Sequence, residues 1–292
     1  MTGNPLISVI INCYNGEKYL REAIDSVIAQ TYDNWELVFW DNQSTDSTRK
    51  IVESYNCPKI KYFYAPEHTP LGEARNLAVE KANGEYINFL DADDVWKPQK
   101  IEKQMALLRP GKIEVVYTHF ELKLEPGVSS DNWMVESYRQ LNNYHPNRKK
   151  NAYQNLLHKN YIIFSSVLFK ASHYRECGGI NGKFSQGEDY DLLLKLSLKT
   201  EFAEVEDDLV VYRIHQQNNS VKNGYIHLVE NAEMFSLLPP SKELNKAKQD
   251  LEIRKFFFFV CNKQYSKSIF QFIKRCSIFA LFRVVASKYL NK

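Results

Sequence analysis

Five cysteines are few for a chain of this length, and Cys13, Cys57, Cys177, Cys261 and Cys276 are odd in number, widely spaced and form no C-x-x-C pair. This argues against a disulfide framework or a structural zinc site and fits a reducing compartment. No uninterrupted apolar stretch reaches the roughly 18 residues that a membrane-spanning helix needs. The opening "MTGNPLISVII" has no basic region ahead of an apolar core and no small-residue cleavage site, so a signal peptide is not expected and the protein reads as cytoplasmic. A P-loop, an H-E-x-x-H pair and a G-x-S-x-G turn are also missing, which removes three common catalytic signatures.

What is present is enough apolar sequence for a sizeable core: 292 residues, 44% hydrophobic and 13% aromatic. The net charge of +3 hides an asymmetry. Residues 251–292 hold nine basic residues and one acidic residue, Glu252, leaving residues 1–250 net acidic. Within that tail Ile269, Phe272, Ile273, Cys276, Phe279 and Ala280 recur at helical spacing among Lys267, Lys274, Arg275 and Arg283. Such a helix suits an anionic membrane surface, or else packs its apolar face on protein. No nucleic-acid-binding motif accompanies the charge, so no specific nucleic-acid partner is expected.

Strand and helix patterns alternate along the first third. "LISVIINC" (6–13) reads as a buried strand, and Leu20, Ala23, Ile24, Val27 and Ile28 make one apolar helix face. The unit repeats with "WELVFW" (35–40) before a helix opening at "STDST", whose hydroxyls and Asp46 suit exposed helix amides, and again with "IKYFY" (60–64) before "LGEARNLAVEKA". "YINFL" (86–90) is a fourth strand. The alternation predicts a largely parallel sheet covered on both faces, with ligands at the carboxyl ends of its strands, where Asp41 and Asp91 lie.

The fourth strand runs directly into Asp91, Asp93 and Asp94, with only Ala92 between them. A solvated turn, with Asp94 capping the helix that "KPQKIEKQMALL" begins, is the plain alternative. Like charges at the end of a buried strand repel least with a cation among them, and hard divalent ions combine one or two carboxylates with substrate phosphates. The cluster therefore reads as a metal–diphosphate site.

From about Ile7 to Ser220 the blocks "SVIINCYNGEKYLREAIDSVIAQTY", "DNQSTDST", "GEARNLA", "FLDADDVW", "GEDYDLLLKL" and "YRIHQQNNS" occur in this order. Together they resemble the inverting glycosyltransferases of family 2. The resemblance implies an α/β, GT-A (Rossmann-like) domain over residues 1–224, with a nucleotide-binding half 1–94 and an acceptor-binding half 95–224, followed by a helical basic extension, 225–292. It implies transfer of a sugar from a nucleotide-diphospho-sugar to a glycan or lipid-linked glycan in surface polysaccharide synthesis, with peripheral contact at the inner face of the membrane. It places Asn12, Tyr14, Asp41, Asn42, Arg75 and Asp91 against the nucleotide, Asp93 and His215 on Mn²⁺ or Mg²⁺, and Asp189 as the catalytic base. Glu188 and Arg213 are the candidate acceptor or phosphate contacts.

Each assignment has a plainer counterpart. A lone His in a strand is commonly a satisfied core residue, and Glu188, Asp189 and Asp191 also suit a helix N-terminus. Asn42 stands where many users of uridine donors carry a second Asp, and an amide both accepts and donates, so the base is open. Residues 121–150 read either as an acceptor loop or as a surface insertion. A catalytically silent relative that binds sugar nucleotide is one alternative. A Mg²⁺-dependent phosphatase is another, disfavoured because its D-x-D normally follows the first core strand.

Overall fold

The computed structural model describes residues 4–131, 133–218 and 224–261. It divides into two compact units, residues 1–218 and 219–292. In the first unit β1 (Ile7–Cys13), α1 (Leu20–Ile28), β2 (Trp35–Asp41), α2 (Thr48–Glu53), β3 (Ile60–Tyr64), α3 (Leu71–Val79) and β4 (Tyr86–Phe89) alternate as the periodicity predicts. All seven residues of β2 are buried, as in a strand covered on both faces. Leu20, Ala23, Ile24 and Val27 bury one face of α1. Asp46 Oδ1 accepts the Thr48 N–H at 2.9 Å and so satisfies an exposed amide at the start of α2.

After β4 come β5 (Val95–Trp96), α4 (Lys100–Leu107), β6 (Ile113–Leu124), α5 (Trp133–Asn142), α6 (Ala152–His158), β7 (Leu168–Lys170), α7 (Ala171–Glu176), α8 (Glu188–Ser197) and β8 (Glu201–Ile214). All eight strands form one sheet in the order β3-β2-β1-β4-β7-β6-β8-β5. The first four are mutually parallel, and β6 and β8 run the same way; only β7, between β4 and β6, and the short β5 are antiparallel, so the sheet is largely parallel, as expected.

Two features of this topology position the site. The chain places β2 and β3 on one side of β1 and β4 on the other, which opens a crevice beyond the carboxyl ends of β1 and β4. The short β5 pairs with β8 through Val95↔Val211 and Trp96↔Val210, holding the segment after Asp91 against the end of β8. A buried polar network stiffens the floor. Lys100 Nζ donates to Asn88 Oδ1 and to Gln104 Oε1, both at 3.0 Å, and Gln104 Nε2 donates to the carbonyls of Val116 and Ser166 at 2.8 Å. With no carboxylate bonded to it, burial pushes the Lys100 ammonium well below the usual lysine range.

The second unit contains α9 (Gly224–Leu237) and α10 (Lys242–Cys261), which pack on each other and bury Met234, Phe235, Leu244 and Leu251. The amphipathic segment from Lys267 to Arg283 lies outside the described residues. Among the described residues no helix is long and apolar enough to cross a membrane.

Candidate active site

The three carboxylates after β4 have three different environments. Asp91 Oδ1 accepts from Arg75 Nη2 at 2.8 Å, and the Asp91 backbone N–H donates to Ser165 Oγ at 3.1 Å. Asp93 Oδ2 lies 2.9 Å from His215 Nε2, with the Asn218 amide at 3.4 Å, and its side chain keeps 29% exposure. Asp94 is buried, accepting from Ser165 Oγ at 2.6 Å and from the Arg213 N–H at 3.0 Å. Helix α4 begins six residues later, at Lys100, so Asp94 is not a helix cap but a buried tie between the strand end and β8. Burial, followed by the charges of Asp93 and Asp91, holds the Asp94 carboxyl well above the usual range. Burial also raises Asp91, against the lowering effect of Arg75.

Arg75, expected at the nucleotide, is instead buried between two acids: Nη1 donates to Glu188 Oε1 at 2.9 Å while Nη2 holds Asp91. The guanidinium carbon lies 4.7 Å from the centre of the Phe164 ring. A buried cation is tolerable when paired, and here the end of β4 and the start of α8 each bring it a carboxylate. Glu188 is correspondingly engaged by Arg75 through Oε1. Arg213 has the same fate. Its Nε donates to the Asp93 carbonyl at 2.9 Å, Nη1 to Glu125 at 2.6 Å and Nη2 to Glu22 at 2.7 Å, so in place of a phosphate contact it is an internal brace behind the cluster.

Asp189 occupies the first turn of α8, next to Glu188. Burial, with the Glu188 charge adding and Arg75 opposing, pushes its carboxyl up to about 7. A general base is most effective with a pKa near the working pH. Arg75 thus joins the strand-end carboxylates to the helix that carries Asp189.

The rim over β1–β3 departs further from expectation. Asp41 Oδ1 accepts the Ser44 N–H and Oδ2 the Tyr62 hydroxyl, both at 2.7 Å. Asn42 donates its amide to the Thr69 carbonyl at 2.8 Å and accepts the Thr69 N–H at 3.2 Å, so its side chain is committed to Thr69 rather than directed at a base. Tyr14 is 55% exposed and meets His68 edge-on, with ring centres 4.5 Å apart. Both amide atoms of Asn12 are buried without a partner among the described residues. Leaving such groups unpaired costs about 1–3 kcal/mol, which a polar ligand at this end of β1 would offset.

Several contributors escaped the sequence. Ser165 and Glu125 carry no local pattern that marks them, whereas Glu22 and Tyr19, which lies 4.5 Å under the Arg213 guanidinium, sit inside the first of the quoted blocks without being singled out there. Asn218 sits inside the "YRIHQQNNS" block and was within reach of it. Segment 121–150 is built into the molecule: Glu125 pairs with Arg213, and Tyr212 donates to the Tyr138 hydroxyl at 2.7 Å. Between β6 and α5 lies a cavity of about 290 Å³ lined by Leu122, Leu124, Val135 and Arg139.

No three His, Cys, Asp or Glu side chains converge as a metal cage among the described residues. The pair Asp93–His215 nevertheless suits a hard or borderline divalent cation that keeps places for substrate oxygens, because such ions need few protein ligands when phosphates supply the rest.

Residues 8–177 match the family model described as glycosyl transferase family 2. An uncharacterized glycosyltransferase of Rickettsia felis is 35% identical over 249 residues, covering 80% of this chain and 40% of its own length. In Escherichia coli the UDP-Glc:alpha-D-GlcNAc-diphosphoundecaprenol beta-1,3-glucosyltransferase WfgD is 37% identical over 117 residues, 40% of this chain and 46% of that protein. The chain therefore spans less than half the length of these curated relatives. Among solved structures, S. aureus TarS 1-349 in complex with UDP-GlcNAc superposes with a TM-score of 0.70 at 18% identity, covering 94% of this chain and 82% of that one. At that identity the likeness is one of fold, and the fold is the GT-A architecture with a helical C-terminal part.

Proposed function

The chain belongs to glycosyltransferase family 2, and from that premise we propose that it transfers a sugar from a nucleotide-diphospho-sugar to a hydroxyl of a glycan or lipid-linked glycan, with inversion, in surface polysaccharide synthesis. The carrying observation is the approach of Asp93 to His215 at 2.9 Å beside the Arg75 bridge from Asp91 to Glu188, the residue that precedes Asp189 on α8. Bound by Asp93 and His215, Mn²⁺ or Mg²⁺ supplies positive charge to the leaving diphosphate. Tyr14 offers its exposed face to the base, and Asn12 its unpartnered amide to the donor.

Asp189 takes the proton of the acceptor hydroxyl as that oxygen attacks the anomeric carbon and the carbon–oxygen bond to the diphosphate breaks. One displacement inverts the centre, so one base suffices. Arg75 and Glu188 fix the start of α8 and thereby the direction from which Asp189 reaches the acceptor. The names of TarS and WfgD, with UDP-GlcNAc bound in one and a diphosphoundecaprenol acceptor in the other, support the donor and acceptor classes. The basic segment 251–292 supports a peripheral position at an anionic membrane, where lipid-linked acceptors reside.

A thermal-shift screen of nucleotide sugars with Mn²⁺ and with chelator tests the reading. A donor at ~100 times its dissociation constant stabilises the folded protein by about 2.7 kcal/mol. A stabilising donor whose effect disappears with chelator is expected. Indifference to every nucleotide sugar, with or without Mn²⁺, would contradict it.

A further inference from the structure

Resting on that donor reading and extending it, we propose that His68 selects the nucleobase: it favours bases with an N–H at the centre of their Watson–Crick edge (uracil, thymine, guanine) over those with a lone pair there (cytosine, adenine). His68 Nδ1 lies 2.8 Å from the backbone carbonyl of Asn42. A carbonyl has no proton to give, so Nδ1 carries the ring proton, and in the neutral imidazole Nε2 is left as an acceptor. Nε2 has no hydrogen-bond partner among the described residues.

The polar side chains at the end of β2 and just after it are committed. Asp41 is held by the Ser44 N–H and Tyr62, Asn42 by Thr69, and Gln43 donates its amide to the Pro66 carbonyl at 2.9 Å. Next to His68 stands Tyr14, whose half-exposed ring meets the imidazole edge-on. Stacking on an aromatic face is tolerant of base identity, because every base has a π-face. Tyr14 therefore provides affinity without selectivity, and the neighbouring acceptor provides the selectivity. Uracil N3–H can donate to Nε2, whereas cytosine sets a lone pair against it.

The test is calorimetric titration of the full chain, with Mn²⁺, against UDP, dTDP, GDP, CDP and ADP. UDP and CDP are the sharp pair, since they differ only on the base edge. One hydrogen bond predicts UDP tighter than CDP by about tenfold. In His68→Ala the ratio should fall to within about twofold, since the bond that separates the two bases is gone. His68→Lys, which puts a donor where the acceptor stood, should move the ratio toward CDP. Equal affinity for UDP and CDP in the unaltered protein overturns the inference while leaving the donor reading intact. So does a His68→Ala variant that weakens both by the same factor, because that marks a purely structural residue. If none of the five nucleotides binds, the donor reading falls and the inference with it.

Discussion

Asp91 and Asp93 stand two residues apart, yet the fold neutralises them by opposite means. Asp91 has a guanidinium built in: Arg75 is buried, fixed from both sides and shared with Glu188. Asp93, its side chain 29% exposed, has no built-in cation but a neighbouring imidazole and an amide. A permanent counter-charge holds geometry, and here it aligns the helix that bears Asp189. An incomplete one leaves room for a cation that arrives with substrate. The comparison separates a structural side of the cluster from a ligand-binding side, and each can be altered without the other.

The largest effect should come from removing the built-in cation. Arg75→Met leaves Glu188 buried and the partly exposed Asp91 beside it, both without their counter-charge; breaking a buried pair typically costs about 3–5 kcal/mol, read as a lower urea midpoint. Adding Glu188→Gln should recover part of that loss, and independence of the two substitutions would show that the bridge is not shared.

Next in size is the base. Asp189→Asn should lower turnover by ~10²–10⁴ with donor affinity little changed. In the unaltered enzyme the rate should rise with pH as the Asp189 carboxyl, pushed up to about 7, loses its proton, and that limb should vanish in the variant. The stability sign is opposite. A carboxyl raised in the folded state binds its proton more tightly there than in the unfolded chain, so stability falls as pH climbs from the ordinary carboxylate range through about 7. Asp189→Asn should flatten that fall in pH-dependent denaturation.

The smallest stability effect belongs to the open side. Asp93→Asn keeps the shape of a partly exposed side chain and loses one contact, to His215, worth about 1 kcal/mol, so its unfolding midpoint should stay near that of the parent. A loss as large as that of Arg75→Met would erase the distinction between the two sides.

The same distinction governs what the sequence could say. The first four strands were legible because β1, β2 and β4 are buried on both faces and read as near-continuous apolar runs. The blocks that carry the family also named the residues at the carboxyl ends of those strands. What stayed hidden depends on distant partners. Asp94 read as a helix cap because its neighbours in sequence allow one, whereas its actual partners, Ser165 and Arg213, are 71 and 119 residues away. Arg75, Asn42 and Arg213 were read as open contacts for the same reason: nothing near them in sequence reveals that Glu188, Thr69, Glu22 and Glu125 engage them. His68 carried no spacing signal at all, and only its ring contact with Tyr14 marks it.

The most direct test of the open side is titration of UDP into the full chain with Mn²⁺ and with chelator, for the parent, Asp93→Ala, His215→Ala and the double variant. The account predicts that Mn²⁺ strengthens UDP binding in the parent, that each single substitution removes the strengthening, and that the double variant is no worse than either, since the two act on one ion. Undiminished Mn²⁺-dependent affinity in a folded Asp93→Ala would contradict it.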